Sequence, residues 1–197
     1  MNGFEKRAKS IKTKIMRTTL EMLRTSDPKR IRIADISKTA NVSQVTIYNY
    51  FGSKELLLRE AFISYVDKAL LDFEDYMNEE RLLKERIEYI LFLEKESFKE
   101  FPPRLIKEML LNDHELAKYV EVQYQNKKIP IITQMIEEGK NSGEISDDVT
   151  TANVLALIQL YMNQYEMMLG LAEQSGDMDA FFEGMVHMLF YGICGKP

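Results

Sequence analysis

Ile33 to Leu57, with the sequence IADISKTANVSQVTIYNYFGSKELL, is the stretch that decides the fold. Its first part repeats apolar residues every three or four positions, at Ile33, Ile36 and Ala40, which predicts a short helix with one buried face. Asn41 follows this helix, and Asn tolerates the left-handed backbone conformation in which many helices end. The first helix is therefore expected to stop there.

A second short helix is predicted directly after this turn. Ser43 is a good cap for a helix N-terminus, and Ile47 and Phe51 share one side of the following helix at i and i+4. Val42 is expected to point inward from the turn, and Gly52 begins the stretch that closes the helix. This is the pattern of a helix-turn-helix, although any compact packing of three helices can show the same spacing.

The side of the second helix opposite its buried residues carries groups that can read DNA. A helix-turn-helix places the N-terminal part of its second helix in the major groove, where polar side chains meet base edges and apolar ones meet the thymine methyl. None of the outward residues is acidic. The predicted DNA-contacting residues are Gln44, Val45, Tyr48 and Asn49, with Thr46 and Tyr50 at the edges of this face and Lys54 near a backbone phosphate.

The charge of the chain is divided along its length. Residues 1–60 contain 13 Lys or Arg and 6 Asp or Glu, a net charge of +7, whereas residues 61–197 carry a net charge of −12. A net charge of −5 for the whole chain does not exclude nucleic acid, since phosphate contact needs only a locally positive surface. The basic residues near the start either lie along the duplex backbone or form a solvated terminus; they are Lys6, Arg7, Lys9, Lys12 and Lys14.

The segment NVSQVTIYNYFGSKELLLREAF, with the helix IMRTTLEML before it, resembles the signature of the TetR family of bacterial transcriptional regulators. Asn41 replaces the usual turn glycine, Ser37 replaces a common alanine, and Arg32 stands near a usual threonine. Arg32 is therefore expected to replace the threonine phosphate contact with a charged one. The matching residues are Ile36, Ala40, Val42, Ser43, Thr46, Tyr48, Tyr50, Phe51, Lys54, Glu55 and Leu56.

The resemblance implies an all-α chain with two domains. The expected division is a three-helix helix-turn-helix DNA-binding domain at 1–53, with its motif at about 32–51, and a larger helical regulatory and dimerisation domain at 54–197. Apolar periodicity in the larger domain predicts helices at about 54–78, 82–100, 104–111, 113–141 with an interruption at Pro130, 148–173 and 178–194.

The last two predicted helices, 148–173 and 178–194, are apolar around most of their circumference. Such helices must be covered on more than one side, either within one domain or by a second copy of the chain. In the family this pair forms a four-helix dimer interface, so a homodimer is expected. Two-fold symmetry would place two reading helices about one turn of double-stranded DNA apart, over a palindromic site.

The resemblance also implies a cavity for a small-molecule inducer in the larger domain. Methionine and aromatic side chains make adaptable apolar walls, so a lipophilic ligand is expected. Most candidates suit plain core packing equally well, and the polar residues Glu94, His114, Asn163 and Glu166 suit solvent or helix contacts. The candidate ligand-binding residues are Phe62, Tyr65, Tyr89, Phe92, Glu94, Phe98, Met109, Tyr124, Met135, Tyr161, Tyr165 and Met168.

The sequence contains none of the common enzyme motifs. HExxH, GxSxG, Walker and GxGxxG patterns are all absent, and neither a metal nor a cofactor site is predicted. The single cysteine, Cys194, permits no internal disulfide. Because no signal peptide or membrane span is recognised either, the reducing cytoplasm is the expected compartment.

The predicted function is a sequence-specific DNA-binding transcriptional regulator. In this hypothesis it is a repressor, released from a palindromic operator when an inducer moves the long helix that begins at Lys54. Two alternatives stay open. One is a chromosome-organising or partner-binding protein with the same DNA-binding domain and no inducer control; the other is an all-helical enzyme with a carboxylate-based site.

Overall fold

The computed structural model describes residues 3–101 and 103–194, without the side chains at 4, 91–99, 103–104, 162, 165–166, 190 and 192–194. No helix within these residues is both long enough and apolar enough to cross a membrane. The α-helices are α1 Gly3–Leu23, α2 Ile33–Ala40, α3 Gln44–Phe51, α4 Lys54–Asn78, α5 Leu83–Glu100, α6 Pro103–Asn112, α7 His114–Gln123, α8 Ile129–Asn141, α9 Thr151–Asn163, α10 Tyr165–Ser175 and α11 Met178–Cys194.

The turn between α2 and α3 is built on a left-handed residue. Asn41 has φ 50° and ψ 54°, a conformation that costs most L-residues about 1–2 kcal/mol and that Asn adopts more readily. The Val42 N–H donates to the Ser37 carbonyl at 3.1 Å, and the Ser37 hydroxyl donates to the Val42 carbonyl at 2.7 Å. At about 0.5–1.5 kcal/mol each, these hydrogen bonds offset the cost of the backbone. The predicted helix end at Asn41 is confirmed.

The direction of α3 is fixed at both of its ends. The Ser43 hydroxyl accepts a hydrogen bond from the Thr46 N–H at 3.0 Å, so the predicted N-cap is confirmed. At the other end Gly52 has φ 77°, a value that favours glycine, and its N–H donates to the Tyr48 carbonyl at 2.8 Å. A helix of two turns held in this way presents its side chains at fixed positions.

The chain packs as two compact units, Met1–Leu71 with Glu100–Val122 and Asp72–Lys99 with Gln123–Pro197. Over these ranges the sequence carries a net charge of +5 in the first unit and −10 in the second. The helix-turn-helix lies in the first unit together with α6 and α7. The expected division into a DNA-binding domain at 1–53 and a regulatory and dimerisation domain at 54–197 stays a prediction.

One apolar cluster fills the first unit. It combines the buried sides of α1, α2 and α3 with residues of α4, α6 and α7. Val42, expected to point inward, is half-buried against it. The buried members are Ile15, Leu23, Ile31, Ile33, Ile36, Ala40, Ile47, Phe51, Leu57, Leu58, Phe62, Phe101, Met109 and Leu116.

Polar contacts in the first unit tie the start of α7 to α4. The Arg59 Nε donates to Asp113 Oδ2 at 2.7 Å, while Asp113 Oδ1 accepts the Leu116 N–H at 3.0 Å and caps α7. Burial raises the pKa of Asp113, but the hydrogen bonds from Arg59 and Leu116 outweigh burial and leave that pKa below its usual range. Asp113, predicted as a cap, therefore acts as a cap and as an ion-pair partner at once.

The second unit contains a larger and a smaller apolar cluster. In the larger one Gly139 of α8 is buried, and a Cβ there would lie 3.0 Å from side-chain atoms of Leu83 and Ile145, so glycine permits this close packing. The smaller cluster joins α10 to α11 through Met168, Ala172 and Phe182. The buried members of the larger cluster are Phe73, Met77, Leu83, Ile87, Ile90, Ile132, Met135, Ile136, Ile145, Val154, Ile158 and Leu189.

The helix expected at 148–173 is wrong in both its start and its continuity. It begins at Thr151, because Thr150 and Asn153 cap each other: the Asn153 N–H donates to Thr150 Oγ1 at 3.1 Å and the Thr150 N–H donates to Asn153 Oδ1 at 3.0 Å. It is also divided at Gln164, whose φ of −104° and ψ of 14° leave the helical region. The predicted pair of terminal helices is therefore three helices, α9, α10 and α11.

The interruption expected at Pro130 lies earlier in the chain than predicted. Tyr124–Lys128 forms a π-helical turn between α7 and α8. Pro130 then falls at the second residue of α8, directly after the π-helical turn, where it cannot donate a backbone hydrogen bond to that turn. The change of helix type thus comes just before the proline.

Candidate nucleic-acid interface

The outward side of α3 is a largely polar surface on a rigid helix. Gln44, Val45, Tyr48 and Asn49 are all exposed, with 66% of Val45 and 49% of Tyr48 accessible to solvent. Amide groups can pair with base edges in the major groove, and an apolar side chain can contact the thymine methyl. The structure therefore brings these four predicted residues together on one face.

The two predicted residues at the edges of this face are partly engaged within the protein. The Thr46 hydroxyl lies 2.8 Å from the Ser43 hydroxyl, at the N-terminus of α3. Tyr50 is half-buried, and its ring centre lies 6.4 Å from that of Phe51. Contact with the DNA backbone, which needs less reach into the groove than a base contact, fits these two residues better.

Arg32 and Lys54 flank the motif. Arg32 precedes α2 with an extended backbone, its side chain is exposed, and it makes no capping hydrogen bond, so its guanidinium is suited to a phosphate. Lys54 is half-buried at the start of α4, where its Nζ donates to the Lys29 carbonyl at 3.4 Å. This hydrogen bond is long and weak, and a phosphate could replace it.

The basic residues at the start of the chain do not form one group. Lys12 Nζ lies 2.5 Å from Glu60 Oε2 and 5.3 Å from the centre of the Phe51 ring, so Lys12 helps to hold α1 against neighbouring helices. Arg17 was not among the predicted basic residues, although it shares a helical face with Lys6, Lys9 and Lys14. An exposed groove along α1 is lined by Lys6, Lys9, Ser10, Thr13, Lys14 and Arg17.

The candidate ligand-binding residues whose side chains are described are spread over more than one apolar cluster. Tyr124 donates its hydroxyl to Gln159 Oε1 at 2.9 Å, and His114 and Asn163 are exposed. The side chains of Phe92, Glu94, Phe98, Tyr165 and Glu166 lie outside the described residues. Of the remainder, Phe62, Tyr65 and Met109 belong to the core of the first unit, Tyr89, Met135 and Tyr161 to the larger cluster of the second unit, and Met168 to its smaller cluster.

Comparison with known sequences finds relatives among bacterial regulators. Residues 15–61 match the family described as bacterial regulatory proteins, tetR family. The HTH-type transcriptional regulator UidR of Escherichia coli (strain K12) is 23% identical over 161 residues, which cover 80% of this chain and 81% of UidR. The residues that match the family, 15–61, contain the end of α1, all of α2 and α3, and the start of α4.

Solved structures extend the similarity of fold beyond the helix-turn-helix. FadR from Bacillus subtilis, in complex with stearoyl-CoA, is 20% identical with a TM-score of 0.63, over 92% of this chain and 98% of FadR. A protein from Saccharomonospora viridis in complex with choline, described as a transcriptional regulator, is 17% identical with a TM-score of 0.73, over 94% of this chain and 98% of its own. At these identities the likeness is one of fold.

Replacing Tyr48 with alanine should weaken binding to a specific DNA duplex by about 1–3 kcal/mol, because the ring leaves the face that meets the bases. Fluorescence anisotropy at fixed salt measures this change. Since Tyr48 is half exposed, the thermal unfolding of the variant should match the wild type. Leu82→Ala, at an exposed position outside the first unit, is the control and should bind normally. Unchanged DNA affinity of Tyr48→Ala would remove Tyr48 from the interface.

Proposed function

The chain belongs to the TetR family of bacterial regulatory proteins, and from this premise we propose that it represses transcription by binding a palindromic operator as a homodimer. A small molecule bound in the larger domain releases the operator. The observation that carries the proposal is the outward face of α3. It offers amide, hydroxyl and apolar groups on a helix that is fixed at both ends.

The DNA-binding part of the proposal rests on the side chains of α3 that the rest of the chain leaves exposed. Its buried side is used by the core, so the exposed Val45 and Tyr48 have no packing role within the described residues of the chain. Large apolar groups exposed beside hydrogen-bonding ones are typical of a surface that meets a partner. Arg32 and Lys54, before and after the motif, supply cations for the phosphates on either side of the reading helix.

The dimer part of the proposal rests on the helices at the end of the chain. Leu160 is 61% exposed, Met167 57% and Met188 59%, although α9, α10 and α11 also bury apolar residues in the second unit. Because these helices are apolar both on the side packed in the core and on the exposed side, we expect a further partner to cover the exposed side. A second copy of the chain is the partner that a palindromic DNA site requires.

The ligand part of the proposal places the small molecule in the second unit. Tyr89, Met135 and Tyr161 contribute to one apolar cluster there, and aromatic and methionine side chains adapt readily to lipophilic molecules. The structural neighbours with stearoyl-CoA and choline indicate that this fold accommodates chemically different ligands. An effector acts through the difference in its affinity for the DNA-bound and DNA-free forms.

Selection from a pool of random duplexes should recover a palindrome with two half-sites about one helical turn or slightly more apart. The symmetry of the site is expected because each protomer presents one copy of α3. Sequencing of the bound fraction and footprinting of the selected duplex give the half-site spacing. Recovery of an asymmetric site would contradict the symmetric arrangement, and recovery of no preferred sequence would favour an architectural protein.

Introducing charge on the exposed apolar side of the terminal helices should convert the dimer to a monomer. The variant Leu160→Glu with Met188→Glu places carboxylates where the second copy would bury them, and buried unpaired charge is strongly unfavourable. Sedimentation equilibrium at micromolar concentration measures the mass. Leu71→Glu with Leu82→Glu changes equally exposed leucines elsewhere and should leave the dimer intact. A wild-type chain that sediments as a monomer would overturn this assignment.

A compound that binds the second unit should weaken operator affinity by about 5- to 150-fold, the usual range of coupling between two sites. Stearoyl-CoA and choline head a panel of lipophilic and cationic compounds screened by thermal shift, and each one that raises Tm is added to the protein–operator complex. Tyr161→Ala should raise the concentration required, whereas Leu82→Ala should not. Operator affinity that no binding compound alters would contradict inducer control.

A further inference from the structure

Of the described residues in the first two turns of α1, all but the half-buried Ala8 are exposed to solvent. Among the described side chains, Ile11 is the first residue of α1 that packs against the apolar cluster, and the helix begins at Gly3, 12 residues before the part of the chain that matches the family. A stretch of helix whose described residues are mostly exposed needs an explanation other than core packing. Its composition supplies one, because this part of the helix is strongly basic.

The basic residues of α1 are arranged on one side of the helix. At 100° per residue, the groove residues Lys6 to Arg17 lie on the side of α1 opposite the buried Ile15 and Thr19. Lys12 falls outside this arc and is held by Glu60. The groove is therefore a separate surface, with the hydroxyls of its Ser and Thr residues between the lysines.

The shape of the groove favours an extended ligand. Its volume is about 510 Å³, within the range of about 300–1,000 Å³ typical of small-molecule pockets. All six lining residues are exposed, however, so the groove cannot enclose a small molecule as such pockets do. From Lys6 to Arg17 the helix rises about 16 Å, which corresponds to roughly five base pairs along a duplex.

We propose that this groove binds the phosphate backbone of duplex DNA outside the half-site that α3 reads, and so lengthens the DNA contact of each protomer. The inference rests on the proposed DNA-binding function. Charge complementarity favours DNA as the occupant, and a duplex held by α3 is already close to the first unit that carries both elements. Lysines contribute the charge, and the Ser10 and Thr13 hydroxyls can donate to phosphate oxygens. The groove ends at Arg17, whose Nε lies 3.7 Å from Glu21.

Two DNA duplexes of different length distinguish the contact made by the groove from base reading by α3. The short one contains only the selected palindrome, and the long one adds ten base pairs of arbitrary sequence on each side. The groove variant carries Lys6→Gln, Lys9→Gln and Lys14→Gln, since glutamine forms helices about as well as lysine. The matched control carries Lys107→Gln, Lys118→Gln and Lys127→Gln, which alter the net charge equally at exposed positions.

We expect the wild type and the control to bind the long duplex more tightly than the short one, with a steeper dependence of log K on log salt. The groove variant should keep its affinity for the short duplex within about twofold and lose the advantage of the long one. On the long duplex its salt slope should fall by about 1 for each lysine removed. Hydroxyl-radical footprints should shorten at both ends.

Several results would overturn the inference. They are a wild type that binds both duplexes equally, a groove variant that behaves as the wild type, an equal loss on both duplexes, or the same loss in the control. A wild type that binds neither duplex would overturn the proposed function together with this inference. In all the other cases the palindrome is still bound, so failure of the groove contact is distinguishable from failure of the DNA-binding function.

Discussion

The left-handed turn at Asn41 is the constraint on which the candidate interface depends. Asn41 ends α2, and the next helix begins only three residues later, so the conformation of one residue sets the direction of α3. Relative to the family pattern, Asn41 and Ser37 are two departures close together. The structure indicates that they compensate each other: the Ser37 hydroxyl holds the Val42 carbonyl at 2.7 Å, which alanine could not do. The added hydrogen bond offsets part of the cost that glycine would have avoided.

The packing of the chain brings opposite charges into the unit that carries α3. Glu100–Val122 is acidic in sequence but packs with the basic N-terminal residues. Lys29 Nζ lies 2.6 Å from Glu108 Oε1, and this contact raises the pKa of Lys29. Even so, the first unit keeps a net charge of +5 against −10 for the second. The positive charge of the first unit favours the approach of a polyanion to the unit that carries α3.

The features that could be predicted from the sequence are those set by neighbouring residues. The cap at Ser43, the left-handed end at Asn41 and the buried sides of α2 and α3 all depend on local spacing. The start of α9 has a local signal as well, the Thr150 and Asn153 pair, although apolar periodicity alone predicted an earlier start. The Arg59–Asp113 contact joins residues 54 positions apart, and no local pattern specifies such a pair. For the same reason, the packing of α6 and α7 with the helix-turn-helix had no signal in the sequence.

Counting basic residues overstates how many phosphates the chain can contact. Of the 13 Lys and Arg in residues 1–60, at least four of the described side chains lie against carboxylates: Lys12 on Glu60, Arg24 on Glu100, Lys29 on Glu108 and Arg59 on Asp113. These cations hold helices together, and DNA could recruit them only at the expense of those contacts. The salt dependence of DNA binding counts the ions that phosphates release when protein cations replace them. It therefore reports the exposed cations that reach phosphates, rather than the net charge of +7 that the sequence alone provides.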